Sequence, residues 1–190
     1  MWRVVLYVSP ATIALFLTAT VGLCLAGSWW LTRGDGSRAA RATRALLLCW
    51  AGLTLAATVA PTQPLGTGGH AITWIPGEGM WEPSGYAGAG LFAEERDMIV
   101  RLQIANAVMF TPLAALLTLS FPALGAPFTI GSCFLASAAI ETTQFVMAAG
   151  RTVDVDDLLF NTLGGALGIL VARLSRQAVR IYEPAGKHRA

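Results

Sequence analysis

Charge is what this chain has least of, with 13 basic and 11 acidic side chains in 190 residues, 55% hydrophobic residues and a net charge of +2. Together with a mean hydropathy of +0.59, so few ionisable groups leave more apolar surface than a soluble domain of this size can bury. Asp, Glu, Lys and Arg are absent from residues 4–32, 45–77, 102–140 and 158–172, and each stretch holds at least one membrane span. The chain also lacks a dense basic stripe with interleaved aromatics, which excludes a nucleic-acid groove. Its three cysteines, Cys24, Cys49 and Cys133, lie in apolar segments without C-x-x-C spacing, and read as small core residues. The two histidines, His70 and His188, are far apart, so no His, Cys and carboxylate set has the spacing of a zinc site. No metal and no cofactor are expected.

What is present divides into spans. A bilayer core needs about 20 apolar residues per helix, which predicts helices near residues 4–30, 45–62, 102–121, 127–148 and 157–176. The first apolar run follows Arg3 but is about twice the length of a signal-peptide core, so it is expected to be retained. Bulky Leu23 before Cys24 argues against lipoprotein processing. The segment from Pro122 to Pro127 carries two prolines and Gly125, and predicts a short turn between the third and fourth spans. The fold class expected is all-α, a polytopic membrane helix bundle of about five spans. It divides into an N-terminal span with a basic loop (1–44), a membrane domain (45–176) and a basic tail (177–190).

Basic residues set the expected orientation. Arg33, Arg38, Arg41 and Arg44 crowd the first connection, and Arg173, Arg176, Arg180, Lys187 and Arg189 crowd the C-terminal end. Both should be cytoplasmic, leaving the N-terminus, the 63–101 connection and the 149–156 loop outside. The 63–101 connection is rich in Gly and Pro, carries Trp74 and Trp81, and reads as an outer loop at the lipid interface whose end, Leu91–Arg101, is helical. Trp29 and Trp30 read as interfacial anchors as well.

The informative residues are polar groups inside the apolar segments. An ionisable side chain near the bilayer centre costs about 2.5–3.5 kcal/mol on insertion scales, so Glu141 must face protein, a cavity or a site. Ser137, Glu141 and Gln144 are spaced by four and three and share one face of the fourth helix; Asp157, Asn161, Gly164 and Gly168 make a similar stripe on the fifth. The two stripes can face each other, with Gly164 and Gly168 letting a helix approach closely. Gln103 and Asn106 add amides at a similar depth on the third helix. Arg151, Asp154, Asp156 and Asp157 sit at the mouth of the region, where Arg151 can pair with the acids or with Glu141. Asp154, three residues before Asp157, fits a helix N-cap better than a catalytic group, and the Asp154–Asp157 run lacks the glycine turn of a calcium loop. The competing interpretation of the whole set is a satisfied polar network that fixes helix register.

At these residues the sequence resembles the VanZ-like family. Glu141-Thr-Thr-Gln144, Arg151, Asp154, Asp157, Asn161-Thr-Leu-Gly164 and Gly168 reproduce its C-terminal motif in order, and Asn106-Ala-Val-Met-Phe110-Thr-Pro112-Leu113 is similar to its third-helix motif. Ile72-Thr-Trp-Ile-Pro76 is loosely similar to a Pro-containing segment before it, and Ala114 and Trp74 depart from the pattern. The resemblance implies a small multi-pass protein of the bacterial plasma membrane with a cell-envelope role, since the family is named for an accessory glycopeptide-resistance protein.

Three functions compete. The leading one is a binding or accessory protein whose outward polar pocket, formed by Asn106, Glu141, Gln144, Arg151, Asp154, Asp157 and Asn161, recognises an envelope lipid head group or a glycopeptide-related ligand. Its expected partners are membrane lipids and a second copy of the chain. An intramembrane enzyme using Glu141 or Asp157 as acid or base is the second, against which stand the lack of a Ser or Cys nucleophile paired with His, and of a phosphate-cradling glycine loop. The balance leans away from an enzyme. Small-substrate or proton-coupled transport is the third, for which five spans are few.

Overall fold

The computed structural model describes residues 9–33, 36–61, 63–68, 70–78, 80, 89–150 and 152–182. Among the described residues five helices are long and apolar enough to cross a membrane: α1 (Pro10–Arg33), α2 (Gly36–Val59), α3 (Ala89–Ser120), α4 (Ala126–Met147) and α5 (Val155–Ile181). Two two-residue strands, β1 (Ile72–Thr73) and β2 (Val153–Asp154), form one parallel pair with Ile72 opposite Val153 and Thr73 opposite Asp154. The all-α expectation holds, and the pair is a local stitch between connections.

The packing is inverted relative to a soluble bundle. Leu15, Leu48, Leu135, Val146, Leu170 and Leu174 point outward, while Ala39, Thr54, Ala107, Ala114, Ser137 and Gly164 fill the inside. Lipid tails are as apolar as leucine, so helix association in a bilayer rests on small residues that let backbones meet. Gly164 and Gly168 show how close they meet: a methyl at Gly164 would lie 2.1 Å from the Ala107 carbonyl oxygen, and one at Gly168 2.1 Å from that of Thr111. The glycine stripe of α5 therefore packs on α3, while the stripe of α4 meets α5 through Asn161. The cysteine expectation holds in two cases of three. Cys24 and Cys133 are buried, but Cys49 is exposed on α2.

The turn expected around Pro122–Pro127 lies between Ser120 and Ala126, with Pro127 in the first turn of α4, where its missing N–H costs nothing. The expected basic loop is much shorter than its arginines suggest. α2 already begins at Gly36, so Arg38, Arg41 and Arg44 ride on its first turns, because arginine is a good helix former. The arginine-rich elements nevertheless gather at one end. An Arg33 guanidinium nitrogen donates to the Tyr182 carbonyl at 3.3 Å, Arg176 donates to the carbonyls of Thr118 and Leu119 at the end of α3, and Arg44 lies over the Phe121 ring. Cations there complement the partial negative charge of the α1, α3 and α5 C-termini. Lys187 and Arg189 lie outside the described residues.

The opposite end is held by backbone. α4 closes with Ala148 in the left-handed region, at φ 43°, and Gly150 follows at φ 75°. This leaves the last carbonyls of the helix without intrahelical partners. The 63–68 segment supplies them: Gln63 donates to Ala149 at 3.2 Å, Gly66 to Met147 at 3.0 Å and Gly68 to Ala148 at 2.7 Å. A side chain at Gly68 would run into the backbone of Gly150, 2.3 Å away. The start of the long connection is thereby docked on α4, and Trp74 remains exposed as expected of an interfacial residue. Trp81 and residues 82–88 lie outside the description, whereas the expected helix at Leu91–Arg101 is the first part of α3.

Candidate functional site

At this end, side chains from three helices converge. On α3 one helical turn separates Gln103 from Asn106, both buried. The Asn106 amide donates to the Asp157 carboxylate at 2.7 Å, a charge-assisted bond. Asp157 lies in the first turn of α5 and, like Asp154, remains half-buried, so solvent can reach both from the helix end. One turn deeper, the Asn161 amide donates to the Ser137 hydroxyl of α4 at 2.8 Å.

Glu141 faces protein, as its cost requires. It is buried, and its carboxylate accepts the backbone N–H of Asp154 at 3.2 Å. A charged acceptor there fixes the α4–α5 connection against α4. Gln144 is likewise engaged, donating to the Thr58 carbonyl of α2 at 3.0 Å. The geometry makes both positioning groups for the connection and for α2. Arg151, expected to pair with Glu141, lies outside the described residues.

Asp154 caps α5 as its spacing predicts: its carboxylate accepts the Asp156 N–H at 2.9 Å, satisfying one of the free donors of the first turn. Burial is the main force raising its carboxyl above the usual range; that capping bond opposes the rise, and the neighbouring Asp156 and Glu78 charges add to it. Asp156 does what the sequence did not suggest. It is buried, and both of its oxygens accept the Gly77 N–H, at 2.8 and 3.1 Å. It anchors the long connection over the helix ends. Its only signal in the sequence is its place in an Asp-Val-Asp-Asp run at a helix start. A backbone acceptor such as the Thr58 carbonyl carries no sequence signature at all.

Not every polar group in the cluster is satisfied by protein. Gln103 is 1% exposed and its amide is engaged with the Asp157 carboxylate, while its carbonyl oxygen has no hydrogen-bond partner; the Asn161 carbonyl oxygen has none either. An acceptor left unmade costs about 1–3 kcal/mol, and two amide oxygens beside a carboxylate favour a partner rich in hydrogen-bond donors. Among the described residues no group of three His, Cys, Asp or Glu side chains has metal-holding geometry.

The fold and this polar end define a multi-pass membrane bundle in which small residues pack the core and one end concentrates acids and amides. A family model described as VanZ/LLP1 matches residues 44–176, from the third turn of α2 to the last turns of α5. The chain belongs to that family. Protein VanZ from Enterococcus faecium is 34% identical over 77 residues, which cover 40% of this chain and 47% of that protein. The match thus spans about half the length of the curated relative. No solved structure matches the chain.

Proposed function

We propose that this protein is a cell-envelope accessory protein of the bacterial plasma membrane whose acidic, amide-lined end faces outward and binds a polar envelope component. The observation that carries the reading is the concentration of acceptors at this end, the half-buried Asp157 carboxylate beside the amide oxygens of Gln103 and Asn161, which no protein donor fills. The partner is a lipid head group or glycan unit offering amine or hydroxyl donors, which carboxylate and amide oxygens accept. Asp157, Gln103 and Asn161 contact it; Asn106, Glu141, Gln144 and Asp154 hold the contact groups in place. Kinship to Protein VanZ makes altered glycopeptide susceptibility the phenotype to look for.

The orientation rests on the arginines gathered at the other end, which favour the cytoplasmic side. The test is native mass spectrometry of the full chain released from detergent, with phosphatidylethanolamine and phosphatidylglycerol as head-group probes. Asp157→Asn and Gln103→Leu should each lower retention of the preferred lipid at least tenfold without loss of membrane insertion. Unchanged lipid profiles in both variants would sink the reading.

A further inference from the structure

We propose that the arginine-rich end of the bundle binds the phosphates of anionic phospholipids in the leaflet it faces, with Arg44 of α2 and Arg173 of α5 as contacts. Residues 33–44 and 173–190 hold nine basic side chains and two acidic ones, although the whole chain carries only +2. Seven of the nine, all arginines, are described. Every described carboxylate belongs to the opposite end, on the long connection, the start of α3, the far half of α4 or the start of α5; Asp35 and Glu183 lie outside the description. The bonds given for these guanidiniums go to neutral groups. Arg176 donates to the Thr118 and Leu119 carbonyls and Arg33 to that of Tyr182, while Arg44 lies 5.1 Å from the centroid of the Phe121 ring. Carbonyls and rings orient a guanidinium without cancelling its charge, and they use few of its five N–H donors. Like charges gathered in this way repel one another, and an anion among them relieves the repulsion. The N-terminus of α4 opens at the same end, capped by Gly125, which has no side-chain acceptor for the first N–H groups, and so adds to the attraction.

Depth decides which anion this surface takes. Arg44 and Arg173 are the charges that bound the uncharged stretches 45–77 and 158–172, so both stand where hydrocarbon gives way to head groups. Both are exposed, and each lies eight residues, about 12 Å, inside the end of its helix, at Gly36 and Ile181 respectively. A soluble polyanion meets the helix ends first. A phospholipid phosphate lies beside the helix wall, at the depth that a long exposed arginine reaches by extending along it. Trp29 and Trp30, both exposed near the end of α1, mark the same layer, and the Arg33 guanidinium lies 5.8 Å from the centroid of the Trp29 ring. The surface goes beyond the binding proposed for the acid-and-amide end and stands even if that end binds nothing.

The test is a titration of the full chain in detergent with phosphatidylglycerol and with phosphatidylcholine of the same acyl chains, read by native mass spectrometry. The wild type should retain phosphatidylglycerol at least tenfold better than phosphatidylcholine. Arg44→Gln with Arg173→Gln should remove that preference, and Arg44→Lys with Arg173→Lys should keep most of it, because an ammonium still attracts phosphate. Arg96→Gln with Arg101→Gln, which takes the same charge from the opposite end, should leave it unchanged. Equal retention of the two lipids by the wild type overturns the proposal, as does a preference that survives Arg44→Gln with Arg173→Gln or falls as far with Arg96→Gln and Arg101→Gln. Displacement of phosphatidylglycerol by excess inorganic phosphate would give the arginines to a soluble anion and overturn the lipid assignment.

Discussion

Adding one methyl group at Gly164 should do more damage than removing most hydrogen bonds in this protein. The new carbon would lie 2.1 Å from the Ala107 carbonyl oxygen and 2.8 Å from its carbon, whereas even a close C–H···O contact needs about 3.3 Å. Helices α3 and α5 would have to part by roughly 1 Å, a gap that forfeits about a quarter to a half of each dispersion contact across it. Asn106 is the residue before Ala107, so the 2.7 Å bond to Asp157 stretches with the same movement. Overpacking alone costs about 1–3 kcal/mol, and a bond to a charged group adds about 1.5–3. Gly164→Ala should therefore lose about 3–5 kcal/mol, and Gly168→Ala nearly as much, because backbone blocks both sites. Gly165 is a graded control. Its methyl would meet the Cys133 Sγ at 2.9 Å and Cβ at 3.0 Å; the sulfur can rotate aside and the Cβ needs only a small shift, so about 1–2 kcal/mol is expected. Gly22 and Gly131 have no atom within 4 Å of the built carbon, and alanine there should be neutral or slightly stabilising. Reversible unfolding in mixed micelles, followed by far-UV circular dichroism, ranks the series. If Gly164→Ala is as stable as Gly131→Ala, the close α3–α5 approach is wrong.

Other consequences are more local. A double-mutant cycle of Asn106→Ala and Asp157→Asn should give a coupling of about 1.5–3 kcal/mol; a coupling near zero would mean that the two do not bond. Asp156→Ala releases the Gly77 amide, so hydrogen exchange should quicken at Gly77 while amides within α3 and α5 keep their protection; unchanged Gly77 exchange would refute the anchor. Asp154→Ala should cost about 1 kcal/mol through the lost cap, and Asp154→Asn much less, since asparagine caps equally well. The raised Asp154 carboxyl also predicts a pH effect. Its favourable contribution is complete below the unfolded value, near 3.8, and is lost as pH rises through the higher folded value. The wild type should lose stability over that acidic window relative to Asp154→Asn; parallel pH profiles would remove Asp154 as the cause.

The sequence made the five spans legible because lipid imposes a length and an absence of charge that survive without knowledge of packing. It also exposed Asp154 as a cap and the Ser137–Glu141–Gln144 face as buried, since helical spacing alone decides which residues share a side. What spacing cannot decide is which neighbouring helix a face meets. The α5 stripe that carries Gly164 and Gly168 is expected from spacing to face the polar stripe of α4, but the bundle turns the glycines to α3, because closest approach is set by what the opposing helix offers at Ala107 and Thr111. The roles of Glu141 and Gln144 were hidden for a related reason: their partners are the Asp154 N–H and the Thr58 carbonyl, groups every residue possesses. Cys49 misled through composition, since an apolar segment does not say which of its faces is inside.

The division of labour among the acids follows from how completely each is satisfied. Glu141 and Asp156 are buried and accept backbone N–H groups from Asp154 and Gly77, which are rigid parts of the two connections; withdrawing either carboxylate to serve a ligand would orphan a donor that water reaches poorly. Asp157 is different, because its partners are the side chains of Asn106 and Gln103 and it is only half-buried. A donor can add to the remaining lone pairs of its carboxylate without breaking any bond already made. Binding at this end therefore costs no unmade hydrogen bond if it is centred on α3 and α5, and costs at least one if it is centred on Glu141. The glutamate that is most conspicuous in the sequence is for that reason the one the fold engages in holding the α4–α5 connection.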